Sequence, residues 1–506
     1  MVLIKSAKIV DGSGIREPFA ADVLLKDNKI AAIGKFPQKK ADSVIDGLGL
    51  YLTPGFIDVN TDSDHHLSLF TNPAQQDFLT QGVTTIFGGL CGSSLAPLIY
   101  GTLDSIRKWT DISQVNINWH SMGEFFKVLS RLNLGVNFGT LVGHSTVRRA
   151  LIGEDFRDLT VPELINFKKL IRDSMDEGAF GLSTGLGYAH AKRVPYSEIK
   201  ELVSVVAENN GVYATHLRDD KEGLLASVAE TVKIAMETGV KTIISHFKPI
   251  IGFEHDYRKA VEYIHNVAST VDIHFDSYPF DESVIPIYTL LPAWAQIGNL
   301  EIMQSYINNP DTRERIAQEL SRLNGDDIRI AQATNREYLL GKTLTEFAAN
   351  QELSVPEALL KLMDLTSLRA TIFYRNINLD FLMRNLERDQ SLIASNGASL
   401  PDSANWRTKI IKHERFYNTF PKFLETVLRG KMLSLPQAIG KITSVPAKKF
   451  GLKNRGLIAE DNIADLNLIS VQSGAVKIEH VFVNGKLSVK DRRTTGNYAG
   501  GILKKS

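Results

Sequence analysis

The stretch GVYATHLRDDKEGLLASVAETVKIAMETGVKTIISHFK, residues 211–248, decides the fold. It opens with an apolar run, Tyr213–His216, passes through a segment of helical periodicity, Lys221–Thr238, and closes with a second apolar run, Thr242–His246. Short apolar runs bounded by turn formers read as strands buried on both faces. Two of them joined by a helix make a βαβ unit, which lays the strands parallel through a right-handed crossover. Each run ends in a histidine, in Thr-His216-Leu-Arg and Ser-His246-Phe-Lys.

The same alternation extends outward over residues 53–440. Strand-like runs are Gly55–Val59, Thr84–Phe87, Asn137–Val142, Gly181–Ser183, Ile273–Asp276, Ile328–Ala331 and Leu392–Ser395, with helical patterns such as Val161–Met175 and Ser197–Asn209 between several of them. About eight such units favour an α/β fold of the (β/α)8 TIM-barrel type over an open doubly wound sheet. No Gly-x-Gly-x-x-Gly run opens a helix after the first strand, which weakens a dinucleotide-binding reading. The two ends differ from the middle. Residues 1–50 are short alternating segments broken by turns, and Asn484-Gly485 near the other end is a two-residue hairpin signal. The expected organisation is a small composite β-sandwich built from 1–52 and 441–506, flanking a barrel over 53–440 with a lid at 285–325.

Composition narrows the class. The chain has 506 residues, 58 basic against 57 acidic, for a formal net charge of +1. That balance gives no reason to expect nucleic acid or an anionic membrane as partner. A single cysteine excludes an internal disulfide framework and fits a reducing, cytoplasmic setting. The start, Met1–Val10, alternates and carries charge early, so it reads as a strand rather than a secretion signal. No apolar stretch approaches the ~20 residues of a membrane span.

That cysteine, Cys91, closely follows the run Thr84–Phe87. Alone it would read as a small buried hydrophobe, and His216 and His246 as hydrogen-bonded structural histidines. A thiolate and two imidazoles delivered from strand ends are instead a ligand set that holds Zn²⁺ with a fourth position open. Functional residues of a parallel barrel sit at those strand ends.

Several runs together resemble the metal-dependent amidohydrolase superfamily, and within it the N-acyl-D-amino-acid deacylases, or D-aminoacylases. They are Thr53-Pro-Gly-Phe-Ile-Asp58, Gly89-Leu-Cys-Gly-Ser-Ser-Leu-Ala-Pro97, Gly178-Ala-Phe-Gly-Leu-Ser-Thr-Gly-Leu-Gly-Tyr188, Ala214-Thr-His-Leu-Arg218, Ser245-His-Phe-Lys248, Asp276-Ser-Tyr-Pro-Phe280 and a late block from Thr443-Ser-Val-Pro-Ala447 to Ala464-Asp-Leu. The resemblance implies a barrel capped by a β-sandwich, with zinc at the strand ends held by Cys91, His216 and His246. It implies a small-molecule substrate carrying a carboxylate, with Tyr188, Lys248, Tyr278, Ser283 and Arg415 in the substrate shell. Arg415 would be the carboxylate anchor, since a planar guanidinium suits bidentate recognition.

The sequence departs from the family pattern at two places. A His-x-His pair is replaced by Asn60-Thr-Asp62, and the aspartate that serves as general base is replaced by Asn396 in Ala394-Ser-Asn-Gly397. Asp62 could still offer an oxygen to a metal, but an amide at Asn60 is a poor zinc ligand. One ion is therefore expected rather than two. An amide at Asn396 cannot accept and return a proton, a service typically worth ~10²–10⁴-fold in rate. Candidate replacements are His65, His66, Asp402 and His413. Between Asn396 and Arg415 the segment Leu400–Lys412 is longer than the family norm. Three functions stay open: a zinc amidohydrolase acting on an N-acyl amino acid or related amide; an enzyme turned to transacylation, cyclisation or elimination; and a non-catalytic homologue.

Overall fold

A computed structural model describes residues 1–36, 41–99, 103–106, 110, 112, 115–333, 335–401 and 410–505. In the decisive stretch, strand Val212–His216 leads into helix Leu224–Thr238 and then strand Lys241–Ile244. The helix buries Leu224, Val228, Val232 and Ala235, a stripe at helical spacing, against the sheet side. Gly239 stops it with φ 71°, a left-handed turn that costs a glycine nothing.

The two strands pair in parallel, Val212 opposite Lys241 through Thr215 opposite Ile244. They sit inside a six-stranded parallel sheet ordered Ser391–Ile393, Ile273–Ser277, Lys241–Ile244, Val212–His216, Gly181–Gly185, Val142–Gly143. A second parallel sheet holds Phe56–Asp58, Val83–Gly88 and Asn137–Thr140. Only Leu141 separates the last of these from Val142–Gly143. At the other edge, Thr61 makes a parallel bridge to Gly397, with the Asp62 N–H donating to the Gly397 carbonyl at 2.7 Å and the Asn396 N–H donating to the Asn60 carbonyl at 2.9 Å.

The chain ends meet in a separate nine-stranded sheet, where Leu466–Gln472 pairs antiparallel with Tyr51–Pro54, which pairs parallel with Val2–Ile9. The Asn484-Gly485 turn joins strands Ala475–Val483 and Lys486–Lys490, with φ of 47° and 77° at its two residues, the signs a tight hairpin requires. A Cβ on Gly485 would lie 2.2 Å from the Asp27 carbonyl, so the two terminal hairpins pack where only glycine fits.

Residues 282–375 depart from the βα alternation. Strands Glu282–Pro286, Thr371–Arg375 and Ile328–Gln332 form an antiparallel sheet, and intervening helices share a core of their own that includes Ile307, Ile316, Ile330 and Leu359. The run Ile328–Ala331, expected among the parallel strands, belongs to this insertion. A short apolar run has the same pattern in either kind of sheet, so periodicity does not tell them apart. No helix among the described residues is long and apolar enough to cross a membrane.

Candidate active site

Three strand ends bring the cysteine and the two histidines together. Cys91 lies in the loop after Val83–Gly88, His216 is the last residue of its strand, and His246 follows Lys241–Ile244 by two residues. The Cys91 Sγ is 3.4 Å from His246 Nε2, and the ligand atoms of all three lie within 4.8 Å of one another. Tetrahedral zinc with these donors needs separations of roughly 3.3–3.8 Å, so small side-chain adjustments would close the set on an ion. The rings of His216 and His246 meet edge to face at 4.5 Å. Burial, then the neighbouring His216 and Lys248, hold His246 well below the ordinary histidine range, in the neutral form a ligand requires.

The backbone is bent to make this possible. Cys91 and His246 have φ of 50° and 40°, left-handed values that non-glycine residues rarely adopt and that collect at functional sites. Two glycines of the Ser-Thr-Gly-Leu-Gly-Tyr motif clear space beside them. A Cβ at Gly185 would sit 2.2 Å from the Cys91 carbonyl, and one at Gly187 would sit 2.6 Å from His216 Nε2.

Across from the trio, the substituted positions form a hydrogen-bonded layer. Asn60 is fully buried; its side-chain amide donates to both oxygens of Asp276 at 3.2 Å, and its side-chain Oδ1 has no partner among the described residues. Asp276 also accepts the His246 N–H at 2.8 Å, and burial pushes its carboxyl up to about 7. Asn60 therefore supports the carboxylate that pins a ligand's backbone. Sequence reasoning missed this role for Asp276, since the two partners lie in distant segments of the chain.

Asp62, 9 % exposed, accepts from His65 Nδ1 through Oδ1 and from Asn396 Nδ2 through Oδ2, each at 3.0 Å. It is not among the three clustered ligands. His65 does not turn toward them either: its Nδ1 faces Asp62 and its Nε2 faces the Ser93 carbonyl at 3.1 Å. Burial opposes its protonation most strongly, but Asp64 and Asp62 outweigh it and push His65 up to about 9. With both nitrogens donating, this imidazole cannot take a proton. His66 is held down at about 4 by burial. His413 accepts the Arg415 N–H and faces Glu282, between the rings of Phe280 and Phe373. Asp402 lies outside the described residues.

The trio opens into a cavity of about 600 Å³, which Asp62, Tyr188, Lys248, Tyr278, Ser283, Asn396 and Arg415 also line. Tyr188 packs on the His216 ring at 4.6 Å, and burial raises its hydroxyl well above the ordinary tyrosine value. Ser283 donates to Asn376 at 2.7 Å. Arg415, at the start of helix Arg415–Arg429, is 2 % exposed, with its guanidinium 4.8 Å over the Tyr278 ring. Its Nε has no partner, and no carboxylate among the described residues pairs with it. The insertion supplies part of the wall through Ile285, Leu290 and Tyr374; the lid expectation at 285–325 is the only sequence signal for it.

A parallel α/β framework here presents a Cys-His-His ligand set beside the buried Arg415, an arrangement suited to a metal-dependent hydrolase. Similarity to known proteins points the same way. The chain is 28% identical to a D-aminoacylase of Alcaligenes xylosoxydans xylosoxydans over 519 aligned residues, 99% of this chain and 97% of that protein. Its structure matches an N-acyl-D-glutamate deacylase from Bordetella bronchiseptica, complexed with zinc and a phosphonate mimic of the tetrahedral intermediate, at TM-score 0.82 and 25% identity, covering 100% and 99% of the two chains. It also matches a D-aminoacylase whose binuclear metal centre is described as activated by one metal and attenuated by the second, at TM-score 0.80, 25% identity, and 100% and 99% coverage. No family model matches the chain. The chain is a homologue of the N-acyl-D-amino-acid deacylases over its whole length, and its structural neighbours are D-aminoacylase amidohydrolases. These homologues act on carbon–nitrogen bonds outside peptides, and the ligand cluster accords with a metal-dependent hydrolase.

Proposed function

We propose that the protein is a zinc-dependent amidohydrolase that cleaves the amide of a small N-acyl amino acid, with one ion held by Cys91, His216 and His246. The donor chemistry supports zinc: one buried sulfur and two half-buried imidazoles, of which His246 is held neutral, within one cluster. Bound there, the ion would polarise the scissile carbonyl or make a water more acidic. Single-ion use is supported by the substitution of the opposite positions by Asn60 and Asn396, and by the one-metal activation described for a neighbour.

The observation that carries the reading is Arg415. Arg415 lines the same cavity as the ligand cluster, and its Nε has no hydrogen-bond partner among the described residues, so its charge is available to a ligand that supplies a counter-charge. An α-carboxylate fits its planar fork. Tyr278 stacks beneath the fork, Lys248 adds a second cation to the wall, and Tyr188 and Ser283 bound the space for the acyl amide. We further infer that the two parallel sheets, with Asn137–Thr140 and Val142–Gly143 counted as one strand interrupted at Leu141 to give eight, close through the Thr61–Gly397 bridge into a (β/α)8 barrel over 53–440. The segments 1–52 and 441–506 would form its composite β-sandwich, and the insertion containing 285–325 its lid. A lone buried cysteine suits a reducing cytoplasm.

The test is metal content together with amine release from a panel of N-acetyl- and N-formyl-amino acids of both configurations. Zinc near one equivalent, with hydrolysis of a carboxylate-bearing substrate and little of its decarboxylated analogue, is expected. Zinc-loaded protein that releases no amine from any member overturns the reading. Because an amide at Asn396 cannot carry a proton, acyl transfer to another nucleophile is the second reading. Recovery of the acyl group on a nucleophile other than water, with no labelled water oxygen in that product, would favour it.

A further inference from the structure

We propose that Asp62 is the catalytic carboxylate that moves the proton in this site, with Asn396 as its positioning partner. The inference rests on the hydrolase reading above. Amide hydrolysis needs one group to remove a proton from water as the oxygen bonds to the acyl carbon, and to return a proton to nitrogen as the C–N bond breaks. His65 cannot serve, because both its nitrogens face acceptors. The Asp276 carboxylate is fully buried beneath the His246 backbone and Asn60 and does not line the cavity. Of the other acids on the cavity wall, Asp220, Glu222 and Glu319 are exposed and Asp219 is engaged by the Lys221 and Gly223 N–H groups.

Asp62 differs from all of these. It projects from between two strand ends, one residue from the Thr61–Gly397 bridge, and its backbone N–H is fixed on the Gly397 carbonyl. It is buried yet lines the cavity with Cys91, His216 and His246. Each carboxylate oxygen accepts from one side chain, His65 on one and Asn396 on the other, and each can accept a second bond. A water in the cavity can occupy that remaining position.

The pairing with Asn396 explains why an amide stands there. Asn396 has φ 44°, a bent backbone that brings its Nδ2 to 3.0 Å from Asp62. Two carboxylates at that separation would compete for one proton, whereas beside an amide a single carboxylate faces no such competition and is held in place by the amide N–H. In the cycle, Asp62 accepts one proton from water, the water oxygen bonds to the acyl carbon, and Asp62 passes the proton to the departing nitrogen. The products are a carboxylic acid and an amine, and Asp62 returns to its starting state.

The experiment uses a substrate found by the panel above and compares wild type, Asp62→Asn and the exchange variant Asp62→Asn with Asn396→Asp. Zinc content, thermal midpoint and the Kd of the product amino acid are measured beside kcat. Asp62→Asn should lower kcat by ~10²–10⁴-fold with zinc content and Kd unchanged. The exchange variant, which returns one acid and one amide to the same contact, should recover at least tenfold of that loss. Activity of Asp62→Asn within tenfold of wild type, loss of its zinc, or no recovery in the exchange variant overturns the proposal. A wild type inert toward the whole panel overturns the hydrolase reading and this inference together; an active wild type with an active Asp62→Asn overturns this inference alone.

Discussion

The two sides of one cavity are built from opposite chemistry. On one side Cys91, His216 and His246 converge with soft and borderline donors, and none of the three is replaced by a residue unable to bind metal. On the other side Asn60, Asp62 and Asn396 form a layer joined by hydrogen bonds to one another and to Asp276 and His65. The first side is arranged to bind an ion; the second is arranged to hold side chains still. Loss of ligands opposite a metal therefore need not mean loss of chemistry, because the second side retains a carboxylate in a fixed pose.

The sharpest way to break this contrast is on the ligand side. Cys91→Ala removes the only thiolate, and the zinc affinity should fall by more than about 100-fold, beyond the cost typical of outer-shell changes. Amine release should drop to background. Metal analysis after dialysis, paired with the substrate assay, checks both. Full activity with no zinc in Cys91→Ala would show that the trio is a structural cluster.

Asp276 joins the two sides, so its removal should have a smaller effect that spreads across both. It holds the His246 N–H at 2.8 Å and both contacts of the Asn60 amide. Asp276→Ala leaves those buried donors without an acceptor, costing about 1–3 kcal/mol apiece, and frees the bent backbone at His246. Zinc affinity should fall ~10–100-fold, the range for groups that orient a ligand. Calorimetric titration of zinc into the metal-free protein measures it. An affinity unchanged in Asp276→Ala would separate the two sides energetically.

How much of this could be read from the chain follows the range of the interactions. The strand-helix-strand unit at 212–244, the Asn484-Gly485 turn and the strand-end placement of Cys91, His216 and His246 depend on local pattern, and they were legible. The Ile328–Gln332 strand was legible as a strand but not as part of the insertion, because its length and composition suit either sheet. Asn60 was read as a failed ligand; its partnership with Asp276 depends on closure of distant segments. His65 was a candidate base until Asp62 and Ser93 were seen to occupy both its nitrogens. Neither fact has a sequence signature.

The smallest expected effect lies at the far end of the strand that leads to Asn396. Strand Ser391–Ile393 begins beside Lys441, whose ammonium donates to the Arg388 carbonyl and, at 3.0 Å each, to the Ser391 carbonyl and hydroxyl. Burial, opposed by Asp389 and Glu387, lowers this lysine to about 8. In the unfolded chain it titrates near 10.4. Between those values the unfolded state binds more protons than the folded state, so unfolding free energy rises with pH. The cost of burying the cation is complete below about pH 8 and is gone above about 10.4, a change on the order of 1–3 kcal/mol. Lys441→Gln keeps donors at this position without a titrating group. Denaturant unfolding of both proteins at several pH values should show wild type gaining on Lys441→Gln across that window. Equal pH dependence in the two would mean that Lys441 pins the strand as an ammonium with no desolvation cost. If the metal-facing end is held by the Asn60, Asp62 and Asn396 layer, this change should leave zinc affinity at pH 7 untouched, which keeps the two ends of the strand energetically distinct.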